Sequence, residues 1–266
     1  MSLTFVYQLA VYYGTLVAFA VAGLVLNAGC LLIVWLPHTA SNERFFQRVI
    51  HHHFAALVRW LDLTGLVALR YQGFDRLPPG GFVLVANHPG LLDIIFLIAR
   101  LPEAVCVFKP AIRFNPVLSL AAARAGYLAS DGGVDLVRRA SKKVSEGQVL
   151  IVFPEGTRTP EGGLHSPLKT GFALIARRAS VPVQLVQIQS DGRFLSKRGA
   201  WWRVPKLPVR ISVNVGPCLA NDGAKDTARV IAEVEQWIGL PPTNRRRQRA
   251  RTPARNYSPS RTTPAS

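Results

Sequence analysis

Phe82-Val83-Leu84-Val85-Ala86-Asn87-His88-Pro89-Gly90-Leu91-Leu92-Asp93 decides how this chain folds. The first five residues form a short apolar run, as expected of a strand buried on both faces, and Leu91 through Ala99 has the apolar density of a helix packed on a sheet. His88 therefore falls on the turn between them. In an open α/β sheet, ligand sites gather in the crevice beyond the carboxyl ends of the strands, so an imidazole there is well placed for chemistry. Asp93 follows about one helical turn later. Its carboxylate can reach back to one imidazole nitrogen, fix the tautomer, and leave the other nitrogen able to take a proton. The competing structural role is a hydrogen bond that merely starts the helix.

Val149-Leu150-Ile151-Val152 reads as a second strand, and Phe153-Pro154-Glu155-Gly156-Thr157-Arg158 follows it. Glycine lets a ligand approach the backbone closely, and the guanidinium is a planar fork suited to phosphate or carboxylate. A catalytic pair with an anion-holding loop points to a phosphorylated substrate.

The pairing of His-x-x-x-x-Asp with Phe-Pro-Glu-Gly-Thr-Arg, about sixty residues apart and each at a strand end, resembles the signature of the glycerolipid acyltransferases, typified by 1-acylglycerol-3-phosphate O-acyltransferases. The match spans about residues 80 to 215. The resemblance implies an α/β domain with a mixed, largely parallel sheet flanked by helices. It also implies acyl transfer from acyl-CoA or acyl carrier protein, as co-substrate, to a hydroxyl of a lysophospholipid. His88 would be the general base, Asp93 its orienting partner, and Asn87, Lys109, Glu155, Gly156, Thr157 and Arg158 would form the substrate site. No metal and no resident cofactor are implied. The residues agree independently, because a thioester is already activated and needs only a deprotonated hydroxyl aimed at its carbonyl. No Gly-x-Ser-x-Gly elbow is present to support a serine nucleophile.

One departure bears on the acceptor. After Gly126-Tyr127-Leu128 the family usually continues towards a phosphate-binding arginine, whereas this chain has Ala129-Ser130-Asp131-Gly132-Gly133. Arg138 and Arg139 are the nearest replacements, on a helix expected from Val134 to Glu146 whose charges read as a solvated face. The Gly-Tyr-Leu segment, with Trp201-Trp202-Arg203-Val204-Pro205, is similar to acyltransferases encoded with bacterial aryl-polyene pathways. A non-phosphatidate acceptor therefore stands as an alternative, as does a catalytically silent lipid-binding protein on the same fold.

At 266 residues and 49% hydrophobic content the chain can bury one core, and its net charge of +17 calls for an anionic partner. Acidic lipid is favoured over nucleic acid because Leu3 to Leu36 carries no charge and exceeds the roughly 20 apolar residues that span a bilayer. Residues 1–40 thus read as a membrane anchor, a single helix or a hairpin bent at Gly14, Gly23 or Gly29. A signal peptide is disfavoured by the missing basic n-region. Arg44, Arg48, Arg59 and Arg70 follow the segment and no basic residue precedes it, so the positive-inside bias puts the catalytic domain on the cytoplasmic side of a bacterial inner membrane.

Residues 41–65 carry apolar residues at helical spacing among arginines, suiting an amphipathic helix either at the headgroups or against the core. Three consecutive histidines, 51 to 53, diverge around such a helix and cannot share one metal. Residues 66–240 are expected to form the acyltransferase domain, with further strands at 66–71, 104–108, 181–188 and 209–215, and helices at 115–125, 169–179 and 226–237. Lys169 opens one of these helices near the substrate. Residues 162–171 superficially resemble a P-loop, but Leu168 stands where its glycine should be. Lys197, Arg198 and the tryptophans of 194–205 suit a membrane interface. Residues 241–266, with seven arginines and no acid, read as a disordered basic tail able to strengthen attachment to anionic lipid. Cys30, Cys106 and Cys218 show no ligand or disulfide spacing and read as small buried hydrophobes.

Overall fold

In the computed structural model, residues 3–33, 35–158, 168–191, 204–220 and 227–239 are described. Seven strands make one sheet in the order β1-β7-β6-β2-β5-β3-β4. They are β1 (Val67–Gln72), β2 (Phe82–Ala86), β3 (Ala104–Phe108), β4 (Leu128–Ala129), β5 (Val149–Val152), β6 (Val183–Ser190) and β7 (Val209–Leu219). Only the β6–β7 pair is antiparallel. This is the mixed, largely parallel sheet expected. The helices are α1 (Leu3–Leu32), α2 (Ala40–Leu63), α3 (Asp93–Ile98), α4 (Ser119–Arg124), α5 (Gly133–Ser145), α6 (Gly171–Ala179) and α7 (Thr227–Gly239).

β2 lies at the centre, paired in parallel with β5 on one side and β6 on the other, and all five of its residues are buried. A strand covered on both faces has no polar side to show, which is why its sequence is a continuous apolar run. Phe82, Leu84 and Ala86 face a layer built from α1, α2, α3 and α4. Val83 and Val85 face the other layer, built from α5, α6 and α7. The core is thus a three-layer sandwich with the carboxyl end of β2 opening between its helical layers.

Several local expectations shift. The helix after His88 begins at Asp93 rather than Leu91. The turn at 73–81 contains a short 3-10 helix, Phe74–Arg76, and the helix expected over 115–125 is shorter, α4, preceded by a 3-10 turn, Pro110–Phe114. Cys218, near the carboxyl end of β7 beyond its pairing with β1, is exposed, whereas Cys30 and Cys106 are buried. The tryptophan-rich segment up to Arg203 and the tail lie outside the described residues.

α1 is one continuous helix, not a hairpin, and is long and apolar enough to cross a membrane. One face is exposed at Val6, Tyr13, Val17, Val21, Leu24, Val25 and Leu31. The other is fastened to the domain. Asn27, buried midway along an apolar helix, donates through Nδ2 to Val117 O at 2.5 Å, and its Oδ1 accepts from Leu120 N at 2.8 Å and Ala121 N at 3.3 Å. It therefore caps the amino end of α4 from more than ninety residues away. Gly23, one turn earlier, lies so close to Val117 that a Cβ would collide with it. Replacing Asn27 with leucine strands these backbone groups, and we expect a loss of about 2–4 kcal/mol, read as a lower denaturant midpoint in detergent. An unchanged midpoint would mean that the clamp contributes nothing.

α2 packs on α3 and α4, burying Phe46, Gln47, Ile50, Phe54 and Leu61. Phe45, Trp60 and Leu63 stay exposed on its outer side. Core packing thus accounts for the inner face, and the outer face keeps an apolar surface beside α1.

Candidate active site

His88 follows β2 on a short loop, Asn87 to Leu92, that returns the chain into α3. Its Nδ1 is 2.9 Å from Asp93 Oδ2, and the same oxygen accepts the Gly90 N–H at 2.7 Å. A carboxylate can only accept, so Nδ1 carries the proton and Nε2 is the basic nitrogen. Asp93 is 3% exposed. Burial pushes its carboxyl above the usual carboxylate range, while the hydrogen bonds from His88 and Gly90 and the nearby Arg158 act in the opposite direction. The imidazole stacks on Phe153, centroids 4.2 Å apart and planes at 18°. The ring is thus held from its edge by Asp93 and from its face by Phe153.

Glu155 and Asn87 take places that the motif alone did not reveal. Glu155 is buried, and its Oε1 accepts the His88 backbone N–H at 3.2 Å. The second motif therefore brackets the first motif's backbone from β5, the neighbouring strand. Both polar atoms of the Asn87 amide bond to Ile188 of β6, donating to its carbonyl and accepting from its N–H, each at 2.8 Å. That pair extends the β2–β6 ladder by one step through a side chain. The Asn87 amide and one Glu155 oxygen are directed at backbone and so help to set where His88 stands.

A cavity of about 910 Å³ opens beside the imidazole. His88, Lys109, Gly156, Arg158 and Lys169 line its polar part. Lys109 follows β3 and Arg158 lies on the loop after β5, so two strand ends deliver cations to one space. Gly156 has a positive φ of 62°, a conformation that costs glycine nothing. Thr157 is half-buried on the same loop and is not among the lining residues. Beyond the polar part the walls are apolar: Phe19, Gly23 and Leu26 of α1, Ile50 and Phe54 of α2, Ile94 and Ile98 of α3, and Ala121 and Ala122 of α4.

α1 and α2 are thus walls of the cavity as well as surface elements. Sequence periodicity shows which face of a helix is apolar, but not that it walls a residue several elements further along the chain. His51 Nδ1 meets the Ile98 carbonyl at 2.8 Å, and His53 lines the cavity, so these neighbouring histidines turn to different surroundings. Arg138 bonds Asp135 on the surface, and Asp131, standing near where the family's arginine is expected, holds Arg113 through two bonds of 2.8 and 2.9 Å. Neither Arg138 nor Arg139 lines the cavity.

A family model described as Acyltransferase matches residues 68–189. The chain is similar to the 1-acyl-sn-glycerol-3-phosphate acyltransferase of Helicobacter pylori, 32% identical over 145 residues that cover 52% of this chain and 60% of that protein. It is 28% identical to the Pseudomonas aeruginosa protein of the same description over 204 residues, covering 72% of this chain and 76% of the relative. A chloroplastic relative from Brassica napus is 28% identical over 62% of this chain and 49% of its own, so the chain spans only about half to three quarters of the relatives it matches. The crystal structure of the 1-acyl-sn-glycerophosphate acyltransferase PlsC from Thermotoga maritima superposes with a TM-score of 0.66 over 93% of this chain and 97% of that one, at 21% identity, which speaks to the fold. Both motifs stand at strand ends facing one cavity, and the segment that carries them, residues 68–189, is the part of the chain that matches the Acyltransferase family.

Proposed function

We propose that the protein transfers a fatty acyl group from a thioester, acyl-CoA or acyl carrier protein, to the free hydroxyl of a lysophospholipid such as 1-acyl-sn-glycerol 3-phosphate. The observation that carries this reading is one continuous cavity joining an Asp-oriented imidazole, a cationic rim and an apolar interior. Its volume lies near the top of the range usual for small-molecule sites, in keeping with a ligand carrying an alkyl chain. The relatives' names supply the acceptor class.

In this reading His88 Nε2 takes the proton of the acceptor hydroxyl as its oxygen attacks the thioester carbonyl. The carbon–oxygen bond forms, the tetrahedral intermediate collapses, and the carbon–sulfur bond breaks. The departing thiolate recovers the proton from the imidazolium, which Asp93 stabilises meanwhile. Lys109 and Arg158 hold the acceptor phosphate, and the apolar walls take an acyl chain. No step requires a covalent enzyme intermediate or a metal. The exposed apolar face of α1 and the following arginines support attachment to the bacterial inner membrane with the domain cytoplasmic, and the basic tail supports contact with anionic lipid.

The test is release of free thiol from oleoyl-CoA by the purified protein in detergent with 1-oleoyl-sn-glycerol 3-phosphate, product identified by mass spectrometry. Acceptor-dependent thiol release with formation of phosphatidate is expected. Lipid binding without thioester consumption would establish the silent alternative instead. A second reading, the same chemistry on an acceptor without a phosphomonoester, is favoured by Asp131 near the family's arginine position and its engagement of Arg113. Comparing monoacylglycerol with its phosphate as acceptors separates the two.

A further inference from the structure

We infer that Lys169 is a phosphate-binding residue of this site, acting where the expected arginine is absent. The inference rests on the acyl-transfer reading above and extends it to a residue outside both motifs. Lys169 precedes α6, far along the chain from His88, and its backbone N–H donates to Pro154 O at 2.7 Å. That bond ties it to the loop carrying Glu155, Gly156 and Arg158. Its side chain then lies directly across Gly156: a Cβ built on Gly156 would stand 2.6 Å from Lys169 Cε and 3.1 Å from Nζ. The missing side chain at 156 is therefore the space through which the ammonium reaches the cavity, which Lys169 lines together with Arg158, Lys109 and His88.

The charge balance of the cavity gives this placement its meaning. Among the described residues that line it there are three basic side chains, Lys109, Arg158 and Lys169, and no aspartate or glutamate. The two carboxylates close by, Asp93 and Glu155, are buried and accept backbone N–H groups of Gly90 and His88. Together these side chains place positive charge at one opening, and a phosphomonoester, close to doubly charged near neutral pH, complements it. The amino end of α6, which begins at Gly171 in the cavity wall, adds partial positive charge on the same side. The donor thioester also carries phosphate, so the shared chemistry is a phosphate ester and the kinetics must say whose it is.

Lys169→Ala and Lys169→Arg are compared with the full-length wild type in detergent, varying 1-oleoyl-sn-glycerol 3-phosphate and oleoyl-CoA separately. We expect the alanine variant to raise KM for the lysophosphatidate about 10- to 100-fold, the loss of one charge-assisted contact to phosphate, with kcat little changed and arginine restoring most of the affinity. A rise confined to the KM of oleoyl-CoA would assign Lys169 to the donor's phosphate. If neither KM moves, or if the arginine variant does no better than alanine, Lys169 does not bind phosphate and the inference fails. Direct titration of lysophosphatidate onto the same proteins separates this from a failure of the acyl-transfer reading: a wild type that binds but never consumes thioester removes the reaction and leaves the comparison of affinities standing.

Discussion

Replacing His88 with alanine lowers acyl transfer by about 10²- to 10⁴-fold, the usual contribution of a positioned general base. The size follows from the chemistry: an aliphatic hydroxyl is almost wholly protonated at neutral pH and attacks a thioester slowly unless a base takes its proton in the transition state. The fold should survive, because the Glu155 bond is to the His88 backbone N–H, which alanine retains. The ring itself lies at the cavity wall, its side chain 19% exposed. The measurement is the initial rate of thiol release with saturating lysophosphatidate, beside the thermal transition of each protein. A variant that folds and turns over at the wild-type rate removes His88 from the mechanism.

Asp93→Asn should cost about as much, and for a reason specific to the geometry. The present Oδ2 accepts from both His88 Nδ1 and Gly90 N. A carboxamide oxygen in that position can accept both bonds but carries no charge to stabilise the imidazolium that forms, whereas the opposite amide orientation turns the NH₂ towards the ring and forces the proton from Nδ1 to Nε2. Either the imidazolium goes unstabilised or the ring is held in the tautomer that cannot take the acceptor's proton, and the Asp-to-Asn change in a Ser-His-Asp triad lowers kcat about 10⁴-fold. Nitrogen chemical shifts of His88 would report the tautomer directly. An Nδ1-protonated ring with full activity in this variant would refute the argument.

The stability of the Asn variant should move in the other direction. Burial raises the Asp93 carboxyl above its ordinary value, so the folded protein binds this proton more tightly than the unfolded chain does. A group with a raised folded value contributes stability below its unfolded value and loses it as pH climbs through the folded one. Relative to Asp93→Asn, the wild type is therefore expected to lose thermal stability as the pH rises from below the ordinary aspartate range towards neutrality. Parallel thermal melts of the two proteins across that range would check the sign. A buried charge retained at a cost to stability is what an active-site carboxylate looks like when function selects it.

These expectations differ in how far they could be reached without coordinates. His88, Asp93 and the loop through Arg158 sit beside strands whose apolar runs are unmistakable, and strand ends in a parallel sheet share one crevice whatever the strand order. The signals are local: a run of five buried residues, a turn with Pro89 and Gly90, a carboxylate five residues after an imidazole. For Glu155 and Asn87 the same local pattern suggested ligand contacts. Which polar atoms of a motif face the substrate and which face backbone depends on how β2 is flanked, and here both neighbours, β5 and β6, come from later in the chain.

The amino acid order by itself determined the α/β class, the apolar α1, the positions of the two motifs and the chemistry they carry, because helix and strand periodicities and strand-end placement are short-range properties. Only the tertiary structure decided that α1 is clamped to α4 through Asn27, that α1 and α2 wall the cavity beside His88, and that Lys169 folds over Gly156 into it. Each of these joins residues separated by a long loop or by several intervening elements. Such contacts follow from strand register and helix packing, to which side-chain pattern along one segment is blind.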